Sequence, residues 1–343
     1  MSNEIYMQRC IDLALKGLRD VAPNPMVGCV IVHKDVIIGE GFHEEFGKAH
    51  AEVNAINRIE DKEKLKKSKL YVSLEPCAHT GKTKPCVDLI IKHDIPEVII
   101  GIKDPNPKVS GKGIEKLKKA GVKVTVGVLE DICLEVNRRF FTFHQKQRPY
   151  VILKWAQTVD GYLDKVRNDK EQKVNWISAP ETQTIVHKWR SEEQSILVGR
   201  NTIINDNPSL TVREYGGKNP TRIVIDSQLQ ISGSLKIYSE EAPTLVFNRL
   251  KNEKTNNIEY IKIDETSTKN ILDELYRRQI QSVFVEGGSR TIQYFIIDNA
   301  WDEARVIVGN KKFHEGYKAP VLNRIPVNSL PFGKDMIHFF KRR

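Results

Sequence analysis

His50, Glu52, Cys77 and Cys86 are the residues of this chain whose types and spacing carry chemistry. They stand in three short strings, His50-Ala51-Glu52, Glu75-Pro76-Cys77 and Pro85-Cys86. One imidazole and two thiolates are zinc ligands, and the carboxylate two residues from the imidazole is suited to moving protons. Three protein ligands leave the fourth tetrahedral position to water, which separates a catalytic zinc from a closed structural one. A structural site would show four soft ligands. His79 would have to be the fourth, and Glu52 would then have no role.

Holding four groups drawn from residues 50 to 86 needs a rigid frame, and the apolar periodicity supplies one. Tyr6, Cys10, Leu13, Ala14 and Gly17 fall on one helical face, and Pro23-Asn24-Pro25 breaks that helix. Residues 27–32 and 36–39 read as antiparallel strands. A second helix opens at His50, with Ala51, Ala55, Ile56 and Ile59 apolar, so His50 and Glu52 sit at its N-terminal end. There the helix dipole and free N–H groups favour anionic chemistry. Residues 70–74 form a strand that delivers Cys77 to its C-terminal edge, where open α/β sheets bind ligands. Cys86 starts the next helix, through residue 93. Strand, helix and strand follow at 97–102, 111–120 and 122–126, then one helix over 130–144. Such alternation predicts a three-layer α/β/α domain over residues 1–146.

The second domain is expected over residues 147–343, beyond the polar string Gln145-Lys146-Gln147-Arg148-Pro149. Residues 150–156 are a continuous apolar run interrupted by Lys154. A lysine in a buried strand is costly unless partnered, so Lys154 is a functional candidate, with outward snorkelling the alternative. A helix over 180–190 begins at Pro180, a strand covers 195–199, and residues 199–208 read as a polar loop. Strands at 221–226, 244–248 and 258–263, a helix at 270–278 and a strand at 282–286 continue the α/β pattern. Gly287-Gly288-Ser289-Arg290 then leads into a helix from Thr291. A glycine pair between strand and helix lets backbone N–H groups approach a phosphate, or simply makes a tight turn.

Composition sets outer limits. The 343 residues suit two domains, and 40% hydrophobic with 29% charged content suits a soluble globular protein. No apolar run approaches a membrane span and the start lacks a signal-peptide layout, so the cytoplasm is the expected compartment. Five cysteines, an odd and sparse set, argue against a disulfide framework. The net charge of +10 permits an anionic ligand, but the lysine runs 62–67 and 116–119 read as solvated helix faces. No basic block interleaves with aromatics, so charge gives no case for nucleic acid.

The H-x-E triplet followed by Pro-Cys and a second Cys is the signature of zinc deaminases. Many of those enzymes use P-C-x-x-C, whereas here Thr80 stands three residues after Cys77 and the polar, basic insert runs to Pro85. Together with Pro23-Asn24-Pro25-Met26-Val27-Gly28, Lys103-Asp104-Pro105-Asn106-Pro107 and Gly111-Lys112-Gly113, that spacing closely resembles the bifunctional pyrimidine deaminase/reductase of riboflavin biosynthesis. The resemblance covers nearly the whole chain. It implies a cytidine-deaminase-like first domain and a second domain similar to dihydrofolate reductase.

What the resemblance implies is two reactions on one phosphorylated pyrimidine. One zinc ion per chain, on His50, Cys77 and Cys86, would lower the pKa of a water that attacks the amino-bearing ring carbon. Glu52 would carry protons to the ring nitrogen and the departing ammonia, while Asn24 and His79 contact the substrate. In the second half, NADPH would lie along Ala156, Trp176, Thr202, Asp206, Ser227, Gly288, Ser289, Arg290 and Thr291. Arg190, Leu210, Arg213 and Glu286 would contact substrate, the arginines suiting a ribose 5-phosphate. Lys154, Asp206 and Glu286 are the expected groups for proton and electrostatic work in reducing the ribosyl group to ribityl. The partners expected are the small substrate and further copies of the chain, as a dimer or tetramer, with no nucleic acid and no membrane. Two other readings stay open: a zinc deaminase acting on RNA bases with a nucleotide-binding second domain, and a structural zinc module joined to a ligand-sensing domain.

Overall fold

The computed structural model describes residues 2–78, 84–107, 109–166 and 174–342. They form two compact units, Met1–Gln147 and Arg148–Arg343. Among the described residues no helix is long and apolar enough to cross a membrane.

The first unit runs α1 (Asn3–Leu15), β1 (Gly28–His33), β2 (Val36–Phe42), α2 (Ala51–Asn57), β3 (Ser68–Leu74), α3 (Cys86–Lys92), β4 (Glu97–Ile102), α4 (Lys112–Lys119), β5 (Lys123–Val126), α5 (Glu130–Val136) and α6 (Arg138–Lys146). Its sheet has the order β2-β1-β3-β4-β5. β1 is antiparallel to both neighbours, and β3, β4 and β5 are parallel. Strand alternation divides the core in two. Cys29, Ile31, Leu70, Val72, Val98 and Ile100 pack with Ala55 and Ile56 of α2, Val87 and Ile90 of α3, and Leu117 of α4. Val30, Val32, Tyr71 and Ile99 face the other way, onto Met7, Cys10 and Ile11 of α1 and Cys133 of α5. Helices on both faces make the three-layer α/β/α arrangement.

The helix expected over 130–144 is two helices. Asn137 ends α5 and begins α6 with φ −98° and ψ 19°. Its side chain explains the break. The Oδ1 atom accepts from the Met26 N–H at 2.8 Å, and Nδ2 donates to the Met26 carbonyl at 2.9 Å. A buried amide clamping a distant backbone in this way competes with continuous helix, and it fixes the segment that follows Pro23-Asn24-Pro25.

The second unit runs β6 (Tyr150–Thr158), β7 (Tyr162–Asp164), α7 (Pro180–Glu192), β8 (Ser195–Gly199), α8 (Arg200–Asp206), β9 (Thr221–Ile225), β10 (Thr244–Asn248), β11 (Glu253–Lys254), β12 (Ile258–Lys262), α9 (Thr268–Arg277), β13 (Ser282–Val285), α10 (Ser289–Ile297), β14 (Glu303–Gly309), β15 (Tyr317–Lys318), β16 (Asn328–Phe332) and β17 (Asp335–Lys341). Its main sheet has the order β11-β12-β10-β9-β8-β13-β6-β14-β17-β16. The strands from β12 to β14 are parallel, with antiparallel partners at both margins. The chain enters at β6 and later threads β13 between β8 and β6. The carboxyl ends of those three strands are therefore neighbours at a point where the winding reverses, the place where α/β sheets bind ligands.

One expectation fails here. Residues 199–208 do not form a loop: Arg200–Asp206 is helix α8, anchored by the buried Ile203. The strands β14, β16 and β17 were not anticipated. In β14 the buried Glu303 and Arg305 pair with each other at 2.6 Å, so two charges interrupt what would otherwise read as an apolar strand.

Candidate active sites

His50 caps α2 and Glu52 lies in its first turn, buried at 3% exposure. Cys77 follows the end of β3, and Cys86 is the first residue of α3. Three element ends thus converge. One ligand atom from each of His50, Cys77 and Cys86 lies within 4.8 Å of the others. The His50 Nδ1 atom is 3.3 Å from the Cys86 sulfur and 3.6 Å from the Cys77 sulfur. Tetrahedral zinc with bonds of about 2.0 Å to nitrogen and about 2.3 Å to sulfur puts such atoms roughly 3.5 Å apart. The donors fit zinc in both kind and spacing.

The electrostatics agree. The Cys77 thiol is pulled down to about 4, first by a hydrogen bond from Cys86 and then by His50 against the effect of burial. The same bond, with burial, pushes Cys86 up. Zinc binds thiolates, so a divalent cation here would displace thiol protons. The Cys86 backbone N–H also donates to the Cys77 sulfur at 3.3 Å. Burial, and next the Cys77 charge, raise the pKa of Glu52, so its carboxyl takes a proton more readily than an exposed one.

Two residues that the sequence did not single out complete this unit. His43 is buried, with Nδ1 3.0 Å from the Ala49 carbonyl and Nε2 3.0 Å from the Asn24 amide nitrogen. A carbonyl only accepts, so Nδ1 carries the hydrogen and Nε2 accepts from Asn24. Burial lowers the His43 pKa, in keeping with a neutral ring. That ring stands edge-on to His50, with centroids 5.4 Å apart. Asn24 is thereby held beside the metal-ligand set. Glu75 is the second. Its Oε2 accepts from the Asp104 and Gly111 N–H groups at 3.2 and 2.9 Å. Its Oε1 accepts from those of Gly113 and Ile114 at 3.0 and 3.3 Å. A side chain at Gly113 would put Cβ 2.2 Å from the Pro76 carbonyl oxygen. The strings from Lys103 and from Gly111 therefore wrap the base of the Cys77 turn. His79 and most of the insert after Cys77 lie outside the described residues.

In the second unit, Lys154 shares the β6 face with Ile152 and Tyr150, whose side chains pack on that side of the sheet. Burial lowers its pKa, Glu286 raises it, and Arg190 lowers it again. Glu286, just past β13, meets Arg190 of α7 in a two-pronged ion pair, Nε–Oε1 3.1 Å and Nη2–Oε2 2.7 Å. Burial alone would raise the Glu286 pKa; Arg190 and then Lys154 outweigh it and hold the group at about 2. The third arginine nitrogen, Nη1, lies 3.4 Å from the Thr211 carbonyl. That bond ties in the segment bearing Leu210, which is buried with φ +56°, and Arg213, whose guanidinium reaches the Ser209 hydroxyl.

A second cluster gathers where β8 and β13 end. A Cβ on Gly287 would fall 2.3 Å from the Val198 Cα, and one on Gly199 would fall 2.6 Å from the Thr291 hydroxyl. Gly288 caps α10 with φ +47°, and its Cβ position lies 3.5 Å from the Thr202 hydroxyl. Gly199, Thr202, Gly288 and Thr291 thus line one glycine-walled turn at the start of a helix, which fits the close approach of a dinucleotide phosphate. Ser289 and Arg290 belong to the same helix start, with Arg290 turned onto Tyr294 at 2.9 Å. Ala156 lies near the carboxyl end of β6, and Asp206 closes α8. The other two expected residues make separate contacts. Ser227 bonds Thr266 at 3.0 Å, and the exposed Trp176 offers its carbonyl to Lys311.

Comparison with known proteins matches both units. Residues 1–102 match the cytidine and deoxycytidylate deaminase zinc-binding region, and residues 149–313 match the RibD C-terminal domain. The riboflavin biosynthesis protein RibD of Aquifex aeolicus is 40% identical, over 98% of each chain. The protein of that name from Escherichia coli K12 is 32% identical over 91% of this chain and 88% of its own. The crystal structure of a diaminohydroxyphosphoribosylaminopyrimidine deaminase/5-amino-6-(5-phosphoribosylamino)uracil reductase from Thermotoga maritima superposes with a TM-score of 0.89. It covers 98% of each chain at 37% identity.

Proposed function

This chain belongs to the RibD family of bifunctional riboflavin-biosynthesis deaminase/reductases, and we propose that its two sites act in turn on the diaminopyrimidinone nucleotide for which the Thermotoga relative is named. Zinc on His50, Cys77 and Cys86 would supply a water ionised near neutral pH. Glu52, buried in the first turn of α2 two residues from His50, would take that water's proton, pass it to the ring nitrogen, and help protonate the leaving ammonia. Asn24, fixed by His43, hydrogen-bonds the pyrimidine, and His79 is assigned to the same substrate. The observation that carries the reading is the convergence of His50, Cys77 and Cys86, with Glu52 buried in the first turn of α2, in a chain whose half-buried Lys154 feels the charges of Glu286 and Arg190.

In the second unit NADPH would supply the hydride that reduces C1′ of the ribosyl group, once opened to its imine form, to give ribityl. Gly288, Ser289, Arg290, Thr291 and Thr202 would receive its phosphates, and Ala156, Trp176, Asp206 and Ser227 would hold the rest of it. Lys154 is assigned the proton transfer: burial, with Arg190 and against Glu286, lowers its pKa and so eases its deprotonation. Asp206 joins it in the proton and electrostatic work. Glu286 fixes Arg190 through the bidentate pair and faces the substrate with it, and Leu210 walls the pocket. The bidentate pair with Glu286 occupies the Arg190 fork, so the 5-phosphate falls to Arg213. The chain is proposed to assemble with copies of itself.

A coupled assay tests the order: ammonia release and NADPH oxidation are followed separately on the diaminopyrimidinone nucleotide. Ammonia appears without NADPH, and NADPH oxidation waits for deamination. Oxidation that needs no prior deamination would overturn the order.

A further inference from the structure

We propose that His187 is a positioning residue of the reductase, whose Nδ1 atom holds the backbone of residues 210–213 against α7 so that Leu210 and Arg213 meet the substrate. The inference rests on the reading that Leu210 and Arg213 contact substrate. His187 and Arg190 lie one turn apart on α7 and face the same way. Both reach the same segment. The Arg213 backbone N–H donates to His187 Nδ1 at 3.1 Å, and Arg190 donates to the Thr211 carbonyl at 3.4 Å. Between them the Val212 N–H donates to Asn219 Oδ1 at 2.8 Å. Three consecutive residues are thus tied by side chains. At the head of the segment Leu210 is buried with φ +56°, a left-handed conformation that a branched side chain adopts only when its surroundings impose it.

His187 suits the task because it is buried at 4% exposure and can accept. Burial, reinforced by Arg190 and Arg213, lowers its pKa to about 4, so the ring is neutral and the Nδ1 lone pair is available. A leucine would fill the space but could not accept. An asparagine brings its Oδ1 near the place of Nδ1, whereas a glutamine puts its oxygen nearer the place of Nε2.

The test uses the full chain, supplied with the deaminated pyrimidine nucleotide and NADPH. His187→Leu should raise KM for the pyrimidine about three- to tenfold, the worth of one hydrogen bond, with KM for NADPH and the deaminase rate unchanged. His187→Asn should recover most of the loss and His187→Gln should not. Arg213→Ala is measured alongside. If it raises KM while His187→Leu does not, or if the asparagine and glutamine variants behave alike, the positioning role is wrong and the substrate-contact reading survives. If Arg213→Ala leaves KM unchanged, the substrate-contact reading falls and takes this inference with it. Should the leucine variant fail to fold, the asparagine–glutamine contrast decides alone.

Discussion

Replacing Glu75 by glutamine exchanges one oxygen for an NH2 group in a place that has no use for a donor. Each carboxylate oxygen of Glu75 accepts two backbone N–H groups. Glutamine keeps one oxygen and turns two further hydrogens toward two N–H groups that already need an acceptor. Hydrogen bonds to a charged group are worth about 1.5–3 kcal/mol each, so losing two costs roughly 3–6 kcal/mol. That is a large share of the ~5–15 kcal/mol that stabilises an ordinary domain. For a unit of this size about 2–4 °C of melting temperature accompany each kcal/mol, so the first unit should melt roughly 6–24 °C lower. Calorimetry of the full chain, with zinc counted per chain before and after a mild chelator wash, reads the effect. The Cys77 turn rests on this carboxylate, so zinc should wash out faster from Glu75→Gln. A variant that melts within about 2 °C of the parent and keeps its zinc would refute the reasoning.

Three further outcomes are expected. Asn137→Ala removes both bonds to Met26 and should lower the melting point of the first unit by several degrees, since two hydrogen bonds are worth about 1–3 kcal/mol. It should also weaken the deaminase KM through Asn24, whereas an unchanged KM would show that the clamp does not reach the site. Glu286 has its pKa held at about 2 against an ordinary 4.5, so its contribution to stability is present above about 4.5 and lost as the pH falls through about 2. Denaturant midpoints of parent and Glu286→Gln should therefore differ most near neutral pH and converge toward pH 2, while a constant gap would contradict the assignment.

The zinc set was readable because its members stand at the ends of elements that periodicity locates: His50 at the cap of α2, Cys77 past β3, Cys86 at the start of α3. His43 was not, because its role depends on contacts with Asn24 and Ala49 that no local pattern encodes. Glu75 was in plain view beside Pro76 and Cys77, yet its partners lie 29 to 39 residues further on. Polarity suggested a loop at 199–208, but one buried isoleucine, Ile203, suffices to seat a short helix there. The paired charges of β14 concealed a strand that borders β6 along its whole length. Arg190 was set apart by sequence as a substrate contact, but its bidentate pairing with Glu286 is visible only in three dimensions.

The most direct measurement of the whole account is Glu52→Gln in the full chain, with zinc content, ammonia release and reduction of the pre-deaminated nucleotide followed together. The expected result is zinc near one per chain, ammonia release reduced by about a hundredfold or more, and reduction at the parent rate. Ammonia release at the parent rate with zinc still bound would contradict the account.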